Sequence, residues 1–308
     1  YGLIERPDLR HGLRKMIYGA RYRWKFRQLK GRWGNRLLAA HRVEIRGSID
    51  EVWNRLRGIA PVGVMLKDFS LRLCSENLRD FLHRHQALYR GIGNAQEKAV
   101  EHALTFEWMD FKQVRRFCDV ASSASPLIAA IRTDYPQVEL WRQDLSFRTD
   151  LQTRVIGGFA QDMKEVAPGF FDVMTLHCSF EHFYGRSDSE FIQEVDRVLS
   201  PVGVCLILPL YLDQEHRIYF DPTAVQAATV EKFDSEGTLC AAYEYHQDHG
   251  RYYQPETLVQ RILVRLPSTL KATVIRIRDT DSISSEVYLR FALVLHREKS
   301  GFRGDFYL

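Results

Sequence analysis

Three aspartates each follow a short apolar run in the middle of the chain. Asp119, Asp144 and Asp162 are spaced so that about one strand and one helix separate each from the next. A carboxylate accepts hydrogen bonds, and open α/β sheets bind ligands at the carboxyl ends of their strands. The spacing therefore predicts one ligand site to which successive strands contribute. Other residues that follow the same strands are further candidates: Ala121, Ser122, Ser123, Leu145, Met163, His177, Cys178 and Ser179.

The elements that would position these residues alternate between apolar strands and amphipathic helices. Such alternation is typical of a doubly wound, mostly parallel α/β sheet. Strands are predicted at 115–120, 138–142, 155–160, 171–176 and 204–210, followed by an antiparallel pair at 274–278 and 287–295. Helices are predicted at 96–110 and 187–199, the second with a capping box of Ser187 and Glu190. We expect seven strands in one sheet.

The chain divides by composition into two zones. Residues 1–95 predict a basic, mainly helical extension, in which Ser48 and Glu51 form a capping box. Residues 96–308 predict the α/β domain, with an aromatic-rich insertion at about 211–255 after the fifth strand. We interpret that insertion as a lid or a substrate pocket.

The composition excludes several classes of protein. Hydrophobic residues make up 45% and charged residues 27% of the 308 residues, which argues against disorder and against a fibrous protein. No apolar run reaches the roughly 18 residues that a membrane span requires. Five scattered cysteines without a CxxC pair favour a reducing compartment and speak against a zinc site. We expect a cytoplasmic protein without a metal.

Positive charge is concentrated near the N-terminus. Between Arg10 and Arg36 there are ten lysines or arginines and no acid, interleaved with aromatics that include Trp24 and Trp33. Such a stretch can bind an anionic membrane surface, at the inner face of the membrane, or an acidic partner. The alternative is a solvated helical face that packs its aromatics on the rest of the chain. Nucleic acid is the least favoured partner, because no nucleic-acid-binding fold accompanies the charge.

The ordered motifs resemble those of class I S-adenosylmethionine-dependent methyltransferases. The loop from Asp119 to Pro126 is similar to their glycine-rich DxGxGxG loop. The segment 171–182 resembles their FDxV…SxEH motif, and 194–203 resembles xExxRVLxPGG. A weaker resemblance, at 251–258, is to the RfYxPExL segment of bacterial methyltransferases of surface-polysaccharide and small-molecule pathways. The resemblance covers about 96–212 and, more loosely, continues to 297.

This resemblance implies a Rossmann-like sheet, S-adenosylmethionine as cofactor and methyl transfer to a small molecule or sugar, at oxygen. By the same resemblance, Asp119 would order the first loop, and the backbone at Ala121 to Ser123 would approach the cofactor. Asp144 would bind the ribose hydroxyls. Asp162 would bind the adenine amino group, with Met163 against the ring. His177 to Ser179 would line the methionine end.

The first loop departs from the family because Ala121, Ser123 and Ser125 replace its glycines. Glycine suits such a loop because it has no Cβ. The loop would still fit if its φ angles stay negative. The alternative is a methyltransferase-like domain that kept the fold, lost its cofactor and serves as a binding or scaffolding module.

A hydroxyl acceptor loses a proton during methyl transfer, and histidine titrates near neutrality. The candidates for that base are His182, directly after the fourth strand, and His246 and His249 in the insertion. A structural, hydrogen-bonded role is the alternative for each of them.

Overall fold

The computed structural model describes residues 9–40, 43, 48–73, 75–123, 125–226, 232–283, 287–300 and 302, and the side chains of 9–13 and 75 are left aside. The helices are α1 (Leu9–Trp33), α2 (Ile49–Ile59), α3 (Ser75–His85), α4 (Ala95–Trp108), α5 (Leu127–Asp134), α6 (Ser187–Val198) and α7 (Pro255–Arg261). The strands are β1 (Leu37–Ala40), β2 (Val64–Ser70), β3 (Arg116–Val120), β4 (Glu139–Asp144), β5 (Val155–Gly157), β6 (Phe171–His177), β7 (Leu199–Leu208), β8 (Arg217–Phe220), β9 (Thr238–Ala242), β10 (Gly250–Tyr252), β11 (Lys271–Arg278) and β12 (Phe291–His296).

The main sheet has eight strands in the order β5-β4-β3-β6-β7-β12-β11-β2. All neighbours are parallel except β12, which is antiparallel to both β7 and β11. The strand order reverses between β3 and β6, and ligands of doubly wound sheets bind at such a switch point. The expected mostly parallel, Rossmann-like sheet and its antiparallel C-terminal pair are confirmed.

Both faces of this sheet are buried, which explains the nearly continuous apolar runs of its central strands. Along β3, Cys118 and Val120 pack into one core cluster, whereas Phe117 packs into the other. In β7, Cys205 and Leu206 divide between the two clusters in the same way. Successive side chains of each strand thus point to opposite faces of the sheet, and each face packs into its own core cluster.

The expectation of seven strands is wrong by one. Strand β2 lies within the predicted N-terminal extension and pairs in parallel with β11, so 1–95 is not purely helical. Its run Val64-Met65-Leu66-Lys67-Asp68 lacks clean alternation, which concealed it. The capping box of Ser48 and Glu51 is confirmed at the start of α2. The division at residue 95 stays a prediction.

Two details around α6 also differ from expectation. The Ser187 and Glu190 capping box is absent, because α6 begins after Arg186 and Ser187 Oγ accepts from Gln161 Nε2 at 3.0 Å instead. Strand β7 starts at Leu199, five residues before the predicted start at residue 204. Both differences arise at an element boundary, where local patterns predict least.

The aromatic-rich insertion forms part of a second sheet, in the order β1-β9-β8-β10. Strand β1 pairs in parallel with β9, so the N-terminal segment and the insertion are joined by backbone hydrogen bonds. Tyr22 of α1 is buried against this sheet, and its hydroxyl donates to the Ala241 carbonyl at 2.7 Å. Among the described helices, none combines the length and hydropathy needed to cross a bilayer.

Candidate active site

A cavity of about 330 Å³ lies at the switch point between β3 and β6. It contains seven of the predicted site residues: Asp119, Ala121, Ser122, Ser123, His177, Cys178 and Ser179. Residues Ile92, Lys98 and His102, from α4 and the turn before it, line the same cavity. The series of strand ends therefore predicted one half of the wall and missed the helical half.

Asp119 organises the loop that follows β3. Its buried carboxylate accepts from Ser122 Oγ at 2.9 Å and from Thr175 Oγ1 of β6 at 3.1 Å. Because both oxygens are held, the start of the loop is fixed relative to two strands at once.

The same loop adopts the backbone conformation that glycine favours, although no glycine is present. Ala121 has φ of 52° and Ser123 has φ of 39°, so the φ angles of these two residues are positive and not negative. For residues with a Cβ, this left-handed region costs on the order of 1 kcal/mol or more. Backbone hydrogen bonds hold it: Ala121 N donates to Gln143 Oε1 at 3.2 Å, and Ser122 N donates to the Gln143 carbonyl at 2.9 Å.

Asp144 lies at the end of β4, beside this loop. Its Oδ2 accepts from Ser123 N at 3.0 Å, and its Oδ1 accepts from Ser146 N at 2.8 Å and Ser146 Oγ at 2.6 Å. Neither Asp144 nor Leu145, whose side chain is 60% exposed, is among the residues that line the cavity. Asp144 thus connects β4 to the loop and stands at the outer rim of the site.

The residues after β5 lie apart from the cavity. Asp162 is exposed and pairs with Lys164 at 2.9 Å. Met163 is only 1% exposed and belongs to the hydrophobic core, while its amide donates to Glu194 Oε1 at 2.7 Å. The predicted packing of Met163 against an adenine ring therefore conflicts with its position in the core, because its side chain fills the space under β5.

Two buried histidines stand together at the inner end of the cavity. The rings of His102 and His177 meet edge to face with centroids 4.8 Å apart. Tyr89 Oη is 2.8 Å from His102 Nδ1, and Thr105 Oγ1 is 3.0 Å from His177 Nε2. Burial holds the pKa of His102 well below its usual value, with His177 and Lys98 acting in the same direction, so His102 is neutral.

Helix α4 also carries acids that the sequence reasoning did not single out. Glu97 and Glu101 are buried one turn apart, and Glu101 pairs with Lys98 at 3.2 Å. Cys178 Sγ donates to Glu101 Oε1 at 3.0 Å. Burial, with Glu101 nearby, raises the pKa of Glu97 to about 7. The signal in the sequence was a run of charged residues at helical spacing inside an otherwise apolar helix.

The three predicted bases separate in the structure. His182 Nδ1 donates to the His249 carbonyl, and its Nε2 lies 3.6 Å from Glu181 Oε1. His249 is buried and donates from Nδ1 to the Glu181 carbonyl at 3.0 Å, and burial keeps its pKa well below the usual value. His246, whose side chain is 68% exposed, packs against Tyr18 of α1 instead. Only His182 and His249 are near Glu181.

Buried tyrosines from the insertion and from the end of β7 complete this region. Tyr211 Oη is 3.9 Å from Cys178 Sγ, and the rings of Tyr211 and Tyr252 are 4.8 Å apart. Burial raises the pKa values of Tyr211, Tyr245 and Tyr252, with Glu181 contributing, so all three hydroxyls are neutral. Within the described ranges, no three His, Cys, Asp or Glu side chains are grouped as a metal site would require.

The 251–258 segment has a structural position. Arg251 is fully buried and pairs with Asp188 at 3.0 Å and with Asp234 at 2.8 Å. Tyr253 Oη donates to the same Asp188 at 2.6 Å, and Pro255 begins α7. These contacts connect the insertion to α6 and keep β10 beside Glu181.

Residues 116–207 match the sequence family described as a methyltransferase domain. This match and the strand order above agree with the methyltransferase resemblance that the sequence motifs indicated. S-adenosylmethionine is the cofactor of the class I methyltransferases that these motifs resemble. A search of curated proteins finds no match.

Several solved structures, among them methyltransferases, show distant similarity. The YcgJ protein from Bacillus subtilis is 20% identical over 36% of this chain and 51% of its own, with a TM-score of 0.30. Human N-acetylserotonin methyltransferase is 14% identical over 74% and 57%, with a TM-score of 0.37. The 1,6-didemethyltoxoflavin-N1-methyltransferase of Burkholderia thailandensis is 10% identical over 83% and 93%, with a TM-score of 0.42. The chain thus spans about half the length of the Bacillus subtilis protein, and none of these similarities indicates an acceptor.

Proposed function

We propose that this protein transfers a methyl group from S-adenosylmethionine to a small molecule or sugar, at oxygen. The observation that carries the proposal is the cavity at the β3/β6 switch point, at the carboxyl ends of the strands, where doubly wound sheets bind their ligands. Bacterial surface-polysaccharide or other small-molecule pathways are the proposed setting.

In the proposed orientation, the cofactor would extend from Asp144 at the rim to the inner wall after β6. Asp144 would accept from the ribose hydroxyls, and the adenine would extend beyond the cavity to reach Asp162, without a contact from the core residue Met163. The backbone at Ala121 to Ser123 would approach the cofactor between these ends. The inner wall at His177, Cys178 and Ser179 then receives the methionine end. When bound, S-adenosylmethionine supplies an electrophilic methyl group.

Proton removal from a hydroxyl acceptor is assigned to the pair of Glu181 and His182. His182 Nδ1 donates to a carbonyl, which leaves Nε2 with a lone pair in the neutral ring. Nε2 can therefore accept a proton, and Glu181 Oε1 at 3.6 Å would stabilise the resulting charge. The buried tyrosines Tyr211 and Tyr252 supply an apolar wall with hydroxyl groups, which suits a small polar acceptor.

A second candidate function is a binding or scaffolding module without cofactor. The replacement of the loop glycines by Ala121, Ser123 and Ser125 favours it, because a Cβ atom hinders the close approach of a cofactor to the backbone. A calorimetric titration with S-adenosylhomocysteine distinguishes the two. Saturable binding supports the enzyme, and no heat at millimolar ligand supports the module.

A peripheral membrane role is proposed for α1. Its exposed surface carries Ile17 and Trp24 seven residues apart, with Arg14 and Arg21 on the same side. No described acidic side chain pairs with these arginines. The opposite side packs on the small sheet through Tyr22, so the helix is held with its basic side outward.

A further inference from the structure

Another cavity, of about 340 Å³, lies where the start of α6, helix α7 and the insertion meet. Gly185 and Arg186 directly precede α6, and Lys232 belongs to the insertion. Helix α7 contributes Arg261 and two polar side chains to the same wall. This cavity shares no described lining residue with the cavity between β3 and β6. It therefore lies outside the site proposed for methyl transfer.

A balanced network of buried charges lies beside this cavity. Asp234 accepts from Arg251 Nε at 2.8 Å and from His216 Nε2 at 2.9 Å. Asp188 accepts from Arg251 Nη1 at 3.0 Å and from Arg261 Nη2 at 2.8 Å. Two carboxylates thus face two guanidinium groups, and such pairing is what buried charges require. Asp234 lines the cavity but already has its cations, so it leaves no uncompensated negative charge there.

The remaining charged side chains of the cavity carry an excess of positive charge. Arg186 and Lys232 are exposed, and neither forms an ion pair with a carboxylate in the part of the chain that the structure describes. Glu236 is the one further acid among the described lining residues, and it too is exposed. Two unpaired cations therefore stand against one acid, and Arg261, whose side chain is 24% exposed, lies beside them. This balance favours an anionic ligand.

Neutral hydrogen-bond donors line the same cavity. The hydroxyl groups of Ser235 and Thr257 and the carboxamide of Gln260 make no hydrogen bond with another described residue. Hydroxyl, amide and guanidinium groups all donate to oxygen, and the planar fork of arginine matches the oxygens of a phosphoryl group. Donors that come from three separate segments suit the tetrahedral oxygens of a phosphoryl group better than the planar pair of a carboxylate.

We propose that this cavity is a binding site for a phosphoryl group, either as free phosphate or as part of a phosphorylated small molecule. Arg186 and Lys232 supply the charge, and Arg261 donates from the wall. Because Lys232 lies in the insertion and Arg186 directly before α6, the bound group would join the insertion to the start of α6. The site is independent of S-adenosylmethionine, so it stands whether the chain is an enzyme or a binding module.

Calorimetric titrations at one pH and one ionic strength test the site, with chloride as the balancing anion. The ligands are inorganic phosphate, glucose 1-phosphate and glucose. Inorganic phosphate and glucose 1-phosphate should bind saturably, whereas glucose should not bind. Tighter binding of glucose 1-phosphate assigns the site to a phosphorylated molecule, and equal or tighter binding of inorganic phosphate assigns it to the free ion. Absence of binding by both anions, or binding of glucose as tight as theirs, overturns the proposal.

Charge variants locate the binding. A combined Arg186→Gln and Lys232→Gln variant should weaken phosphate binding about tenfold or more, because it removes both unpaired cations. Both side chains are exposed, so the variant should fold, which thermal unfolding checks. Glu236→Gln should tighten phosphate binding about twofold, because it removes the opposing charge. Arg148→Gln, at an exposed position in the loop after β4, should leave the affinity unchanged. Wild-type affinity in the combined variant overturns the proposal.

Discussion

Glu101 on α4 accepts a hydrogen bond from Cys178 Sγ at the end of β6, 3.0 Å away. The contact joins a helix that precedes the matched methyltransferase region to the strand end that forms one wall of the cavity. Helix α4 is therefore part of the site and not only a cover for the sheet. Its Lys98 and His102 line the same cavity.

Asp144→Ala should weaken binding of S-adenosylhomocysteine by about 1–3 kcal/mol, the range for leaving buried polar partners unpaired. The variant removes both the proposed ribose contact and the support of Ser123 N. Calorimetry measures the change. Asp150→Ala, in the next loop, alters only a local turn and should keep wild-type affinity. Equal affinity in the Asp144 variant would sink the ribose assignment.

Ala121→Gly should raise the free energy of unfolding by roughly 0.5–1 kcal/mol. Glycine adopts φ of 52° without the Cβ clash, and this gain exceeds its entropic cost in the unfolded chain. Urea unfolding monitored by fluorescence gives the value. The same substitution at Ala129, in the helical α5, should instead cost about 0.5–1 kcal/mol. A loss at both positions would show that the loop carries no strain.

The strand-end series could be predicted because it depends on local patterns. An apolar run that ends in a polar residue, such as Asp119 or His177, indicates the end of a strand. This signal does not depend on where the strand lies in the sheet. The position of Glu101 beside Cys178 could not be predicted, because it depends on how α4 packs across the sheet. Met163 was misplaced for a related reason: a residue next to a predicted ligand contact can still point into the core.

His182→Ala should lower kcat about 10²–10⁴-fold with a hydroxyl acceptor, the usual contribution of a general base. His246→Ala should leave kcat unchanged, because its side chain packs against Tyr18 away from Glu181. Radiolabelled methyl transfer under cofactor saturation provides the measurement. Wild-type turnover in the His182 variant would mean that the protein only aligns the acceptor with the cofactor and that His182 is not the base.

The stability of the protein should fall as pH rises from about 5 to about 8. Burial and Glu101 raise the pKa of Glu97 from 4.5 to about 7, so the folded state holds a proton that the unfolded state releases. The folded state therefore loses stability through this window, by at most roughly 3.5 kcal/mol. Lys98 lowers the pKa of Glu97, whereas Glu181 raises it as Glu101 does.

Thermal or urea unfolding at several pH values tests this dependence. Glu97→Gln should flatten the slope between pH 5 and 8, whereas the exposed Glu190→Gln should not. A slope that is identical in wild type and Glu97→Gln would assign the titration to another group.

Vesicle binding tests the proposed role of α1. The protein should co-sediment with anionic vesicles, lose that binding at high salt because the charges are screened, and ignore neutral vesicles. Replacement of Arg14 and Arg21 by Gln should weaken sedimentation without lowering stability, because both side chains are exposed. No sedimentation at low salt would leave packing on the small sheet as the only function of the helix.

The loop after β3 shows that a backbone conformation favoured by glycine can occur where the residues of the motif are no longer glycine. Ala121 and Ser123 adopt the left-handed φ angles that glycine favours, and Gln143 and Asp144 of the neighbouring strand hold the loop by hydrogen bonds. A sequence pattern that requires glycine at these positions would not match this loop. A signature written as backbone angles together with the hydrogen-bonding residues of the next strand would find it, and would also find other diverged domains whose glycines have been replaced in the same way.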